Sequence, residues 1–266
     1  MLERFRTETA FVLKMVKLNL ASSMEYRVSF LTQAIGMFLN NGIFLVFWLI
    51  FFDRFQEVRG YGMQQIFLLF AIVAFGYGMA LTISGNSVRI SHLIAEGRLD
   101  YYLAHPRPVL LHVLFSRMDP FAFGDLSFGL IAFLFTGLLF DPLSIVLFVF
   151  CSVCAAVVVT SFFALVGSLA FFVGNVNEWA FYFNNALVTF SLYPITLFQG
   201  MVRIMLFTLI PAGFVSGLPV EVLETHNPVL LVGLVVAAGA SLLLMTTVFQ
   251  IGLRRYESGS AIHVNI

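Results

Sequence analysis

The sequence predicts an all-α, polytopic membrane protein. Six transmembrane helices are expected, with an N-terminal amphipathic helix lying in the membrane interface and a re-entrant hairpin on the outer face. Three observations predict this. The 266 residues are 60% hydrophobic and only 11% charged, with 32 Phe, whereas a soluble chain carries about a quarter charged residues. Several windows reach the roughly 20 apolar residues that a span needs. Three of those windows open with Asp119-Pro120, Asp141-Pro142 or Asn227-Pro228, each an N-cap side chain before a proline at the first helical position. Residues 1–266 are read as one transmembrane domain, with no room for a soluble one.

Residues 1–23 form the interfacial helix. At about 100° per residue, Leu2, Phe5, Val12, Leu13, Val16 and Leu20 share one face, and Glu3, Arg4, Arg6, Glu8, Lys14 and Lys17 the other. Phe11, Met15 and Leu18 cross between them. The basic face suits anionic headgroups. The lysines also interrupt the apolar run, and no small-residue cleavage site follows, so no cleavable signal peptide is expected.

The first span covers about 28–52 and ends on Trp48, Phe51 and Phe52, aromatics expected at the membrane boundary. A polar turn, Asp53 to Gly60, leads to the second span, about 61–86. The polar segment 87–117 follows. The third and fourth spans cover about 120–140 and 142–173, the latter overlong, so it must tilt or project beyond the lipid. Glu178-Trp179 opens the fifth, which Pro194 ends or kinks, and the sixth covers about 228–251.

Residues 195–227 are apolar but broken by Gly200, Pro211, Gly213, Gly217 and Pro219. Charge decides against a seventh span there. With six spans and the N-terminus inside, eleven of the fourteen Lys and Arg are cytoplasmic, leaving Arg54, Arg59 and Arg203 outside. A seventh span would move Arg254 and Arg255 outside, against the positive-inside rule. Both termini are therefore expected in the cytoplasm. The segment 195–227 is then a re-entrant or surface-lying outer hairpin, which needs cover from protein or a wet cavity.

Several function classes fall away. Net charge is zero, so nothing pulls the chain toward nucleic acid. The only lysines, Lys14 and Lys17, are not followed by Ser or Thr, so the chain has no GxxxxGK[ST] phosphate loop. It has no HExxH motif either. Cys151 and Cys154 have CxxC spacing but apolar neighbours, and read as small packing residues. Asp125 and Glu178 read as helix-end residues rather than members of an ion relay, which argues against a proton-driven pump. Energy, if used, arrives from outside the chain.

The largest cytoplasmic feature is "IAEGRLDYYLAHPRPV", residues 94–109. Ser91 to Leu103 is expected to make about three helical turns, which Pro106 and Pro108 stop and stiffen. A rigid helix of mixed polarity transmits force, whereas a flexible loop absorbs it.

The segment "IAEGRLDYYLAHPRPVLLHVLFSR" resembles the cytoplasmic loop of six-span permease subunits of type-2 ATP-binding-cassette exporters. Gly97, Leu99, Asp100, Leu103 and Pro106 carry that likeness. The stretch "YPITLFQGMVRIMLFTLIPAGFVSGLPVEVL" is similar to the outer segment between spans five and six of the same group. The resemblance implies a permease of the bacterial inner membrane. It works with two cassette ATPase subunits and a second permease, identical or a sister chain. ATP and magnesium bind to the ATPase partners and no cofactor to this chain. The cargo is not fixed by the family.

On this reading Ile94, Glu96, Arg98, Leu99, Asp100 and Tyr102 contact the ATPase. A translocation path runs along spans two and five, through Tyr77, Thr82, Ser84, Asn86, Asn184, Asn185, Thr189 and Tyr193. Uncharged polar groups among phenylalanines suit an amphipathic or hydrophobic cargo better than a small ion. The same groups equally suit hydrogen bonding between helices. A non-transporting scaffold or a channel that docks a cytoplasmic partner is the alternative.

Overall fold

The structure, a computed structural model, describes residues 2–257. The helices are α1 (Leu2–Glu25), α2 (Arg27–Arg54), α3 (Met63–Ser84), α4 (Ile90–Ala95), α5 (Leu99–Leu103), α6 (Val109–Phe115) and α7 (Ala122–Leu134). They continue as α8 (Pro142–Ser168), α9 (Ala170–Val173), α10 (Asn177–Ser191), α11 (Gly200–Thr208), α12 (Leu218–Thr225) and α13 (Pro228–Leu253). No strand occurs among the described residues.

Four stretches are long and apolar enough to cross a membrane: Arg27–Arg54, Met63–Ala95, Pro142–Val173 and Pro228–Leu253. A fifth arises if the pair Gly200–Thr208 and Gly213–Thr225, bent by 78°, counts as one span. Two of the six expected spans are shorter. The 13 residues of α7 and the 15 of α10 reach only about 20–22 Å at roughly 1.5 Å per residue.

The expected start signals act in two of three cases. Asp141 accepts hydrogen bonds from the backbone N–H of Leu143 and Ser144, and Asn227 from that of Val229. Asp119 does not cap α7, which begins at Ala122 without a side-chain cap. Its carboxylate instead takes the Arg89 guanidinium at 3.2 Å, and its N–H donates to the Leu81 carbonyl at 3.1 Å. A charged partner outcompetes neutral backbone donors. At the far end α7 stops at Leu134, six residues before the expected 140. There the Thr136 hydroxyl donates to the Phe133 carbonyl and Gly137 turns the chain with φ +76°.

The core is built around α3, whose apolar window is 72% buried. Its walls are α7, α8 and the segment Gly213–Thr225. Helix α7 is pressed between α3 and α2. At Gly124 a Cβ would stand 2.2 Å from the Ala34 carbonyl oxygen of α2, so only glycine permits this approach. Trp48 faces the protein interior and not the surroundings of the helices. It is 4% exposed and packs against Phe51, Phe52 and Tyr193, joining the end of α2 to the segment after α10.

Polar segments collect at two ends. At the first, the Gln64 side chain donates to the Thr136 carbonyl. Ser144 Oγ lies 3.4 Å from His226 Nε2, and Arg203, Glu221 and Glu224 are within electrostatic reach of Tyr61. At the second, a separate cluster joins Ile94, Leu99 and Val113 to Val176 and Phe249. Tyr256 packs there against Phe171, at 6.1 Å between centroids. The turn after α2 thus shares the first end with the end of α12, and residues 87–119 share the second with the end of α13.

Helix α1 docks at the second end. Asn19 Nδ2 donates to the Phe115 carbonyl at 3.0 Å, and Arg107 pairs with Glu8 at 3.5 Å. Its inward face includes Phe11, Val12, Met15 and Val16, while Leu13 is 66% exposed. The contact face is therefore turned from the one that periodicity predicts. Phe11 and Met15, which cross between the two faces in the sequence, belong to it because α6 presents His112 to Phe11.

The hairpin region 195–227 is helical and broken. Its first arm, α11, is exposed except at Leu206 and the partly covered Phe207. Its second arm buries Val215, Ser216, Val220, Val222 and Leu223 in the core. Residues 209–212 separate the arms, and the second opens with a π turn, Gly213–Gly217.

Candidate functional site

Two features stand out, a corner at the second end and a cavity inside the helices. The corner begins where α4, running on from α3, stops. Gly97 has φ +72°. Its N–H donates to the Ile94 carbonyl at 3.2 Å, and the Arg98 N–H to the Leu93 carbonyl at 2.9 Å. This is a Schellman stop, with glycine at its left-handed position. The expected single helix from Ser91 to Leu103 is therefore two pieces, α4 and α5, with a sharp turn between. The glycine in "AEGRL" is the signal in the sequence.

The turn divides the six expected contact residues by burial. Ile94, Leu99 and Tyr102 are 4%, 0% and 9% exposed, so they anchor the corner in the chain's own interior instead of facing a partner. Fully burying a leucine is worth about 1.5–3 kcal/mol. Glu96, Arg98 and Asp100 are exposed. Arg98 Nε lies 2.8 Å from Glu96 and His92 Nδ1 3.1 Å from it. Pairs this exposed hold little energy, so Glu96 and Arg98 are available to other charges.

Asn86, expected on a path, belongs to this corner. Its amide donates to the Val113 carbonyl at 3.0 Å, to Ser116 Oγ at 2.9 Å and to the Tyr102 hydroxyl at 3.4 Å. One side chain at the end of α3 thus ties α5 and α6 together. Beside it, a polar groove of about 770 Å³ is lined by Asn19, Arg89, His92, Glu96, Arg98 and Tyr101. Around His112 the rings of Phe11, Tyr102 and His105 close at 5.0–5.4 Å. Burial first, then the neighbouring His105 and Arg107, hold its imidazole below the usual histidine range.

The cavity, about 790 Å³, lies among α2, α3, α7, α8 and α10. Of the eight expected path residues, Tyr77, Asn184, Asn185, Thr189 and Tyr193 line it. Thr82, Ser84 and Asn86 do not. Ser84 is spent on a helix contact, with its hydroxyl 2.8 Å from that of Thr160. Asn41 and Asp125 are among the lining residues that the expected path does not include. Asp125, expected as an interfacial helix-end residue, is 2% exposed and accepts a hydrogen bond from Asn41 Nδ2 at 2.6 Å. Both polar residues sit in apolar surroundings, at Asn41 in α2 and Asp125 in α7, and nothing local signals that they meet across 84 positions.

Residues 38–260 match a family model described as ABC-2 family transporter protein. No curated protein and no solved structure matches the chain. The matched stretch begins within α2 and contains both the Gly97 corner and the cavity; α1 precedes it. On this match and its apolar helices, the chain is a multi-pass membrane permease that belongs to the ABC-2 transporter family.

Proposed function

We propose that the chain is the transmembrane subunit of an ATP-driven exporter. It pairs with a second permease and is worked by two separate ATPase subunits. Family membership implies an ATPase partner; the direction of transport, the stoichiometry and the contact surface are our reading. The observation that carries it is the corner at Gly97: an exposed charged ridge, Glu96 to Asp100, fixed to the end of α3 through buried Leu99 and the Asn86 amide. A push on that ridge reaches α3 without being lost in a loop, and α3 lines the cavity.

Charge orients the molecule. The second end carries Arg89, Arg98, Arg107, Arg117, Arg254 and Arg255 beside the basic face of α1, and the first end carries Arg54, Arg59 and Arg203. By the positive-inside rule the second end is cytoplasmic. Six crossings, with α7 and α10 as the short ones, return both termini to that side. The membrane is the bacterial inner membrane, and α1 lies along its surface. ATP and magnesium are held by the partner ATPases. The cargo path runs through the cavity lined by Tyr77, Asn184, Asn185, Thr189 and Tyr193.

Reversing the ridge charges tests this. The double variant Glu96→Lys, Asp100→Lys is expected to insert and melt like the wild type but to lose transport and copurification of the ATPase. Unchanged ATPase copurification and transport in that variant overturns the assignment.

A further inference from the structure

The cavity wall carries buried polar atoms without hydrogen-bond partners, the Tyr77 hydroxyl and three side-chain oxygens. Asn41 donates to one oxygen of Asp125. The other oxygen is screened from solvent and has no hydrogen-bond partner among the described residues. The side-chain oxygens of Asn177 and Asn184, on the same wall, are likewise buried and unpartnered. Each such acceptor carries a desolvation penalty while it stays unpaired, and a carboxylate a larger one. Arg89 and His92, which also line the cavity, do not answer it: Arg89 is engaged with Asp119 at 3.2 Å, and His92 lies 3.1 Å from Glu96. The remaining wall is largely apolar and aromatic, including Phe44, Phe121, Phe163 and Phe181.

Resting on the permease reading above, we propose that this cavity binds an amphiphile bearing a protonated amine, with the ammonium directed to Asp125 and Asn184. An N–H-bearing cation supplies the missing donors and the missing countercharge together. Aromatic faces around it favour a cation further, and the apolar wall takes the hydrocarbon. The volume lies within the roughly 300–1,000 Å³ of small-molecule sites. An anionic amphiphile meets the opposite: a buried carboxylate and unpaired oxygens, with Arg89 already engaged by Asp119.

The test is binding of three fluorescent probes, a dansyl alkylamine and its alcohol and carboxylate counterparts, to the purified full chain in uncharged dodecylmaltoside. The amine is expected to bind saturably and more tightly than either counterpart. Asp125→Asn, which keeps the shape, is expected to weaken the amine by at least about thirtyfold, the effect of losing one side of a buried charged hydrogen bond, and to leave the alcohol unchanged. Should Asp125→Asn misfold, Asn184→Leu, on the partly exposed helix α10, is expected to weaken the amine selectively. Equal binding of all three probes, or an amine affinity untouched by either folded variant, overturns the proposal. Phosphatidylethanolamine added to the micelles separates two sources of the same chemistry. Displacement of the amine assigns the site to a lipid headgroup, and no displacement assigns it to a soluble amphiphile. The assay needs no ATPase, so it stands or fails separately from the coupling experiment at Glu96 and Asp100.

Discussion

Asn86 shows how a residue's role depends on neighbours that the sequence cannot display. In the chain it is one more polar group at the end of an apolar run, equally fit for a cargo path or a helix contact. In the fold its amide holds Val113, Ser116 and Tyr102, so it stiffens the corner. Asn86→Leu is expected to leave the Val113 carbonyl only its local Ser116 donors and to cost about 0.5–1.5 kcal/mol for each hydrogen bond lost. Tryptophan fluorescence of the purified chain in denaturant reads the loss; a variant as stable as the wild type refutes the role. Asp125 is the converse. Its position near a helix start was visible, and its bond to Asn41 was not, because the two are 84 residues apart.

Among the elements, those fixed by local chemistry were legible. The N-caps at Asp141 and Asn227 start α8 and α13 as their Asp-Pro and Asn-Pro pairs predict. The same pair at Asp119 fails because Arg89 is held opposite it, a long-range fact. Gly97 stops α4 by a rule that the sequence does state, and reading past it merged two helices into one. Helix α1 was legible as a helix, but its docking face was not, since that face is set by His112 and Phe115 across the chain. This docking has a pH dependence. The folded His112 binds its proton less readily than the unfolded residue, whose pKa is about 6.5. The stability linked to it is therefore present above about pH 6.5 and is lost as pH falls from there through the lower folded value. Acidification from pH 7 to 5 is expected to loosen α1 and speed its proteolytic release, an effect that His112→Leu abolishes. Release of α1 that speeds up equally in His112→Leu contradicts the assignment.

For the whole molecule, composition and hydropathy announced the membrane and the helical class without help. The number of full-length spans was less legible, because α7 and α10 are short and the segment 195–227 folds into a bent pair. Hydropathy alone does not distinguish a short buried helix from half of a broken one. Polar turns group at two ends of the helices, a feature that hydropathy does not display.

The claim beneath all of this is that an ATP-hydrolysing neighbour presses on the Gly97 corner from the cytoplasm. The most direct measurement is site-specific photocrosslinking in intact cells, with a benzophenone amino acid at position 98 in the corner or at position 59 in the opposite turn. A covalent adduct with a cassette ATPase, identified by mass, is expected from position 98 and none from position 59. An ATPase adduct from position 59 alone, or labelling of position 98 by a membrane-impermeant reagent added outside, contradicts it.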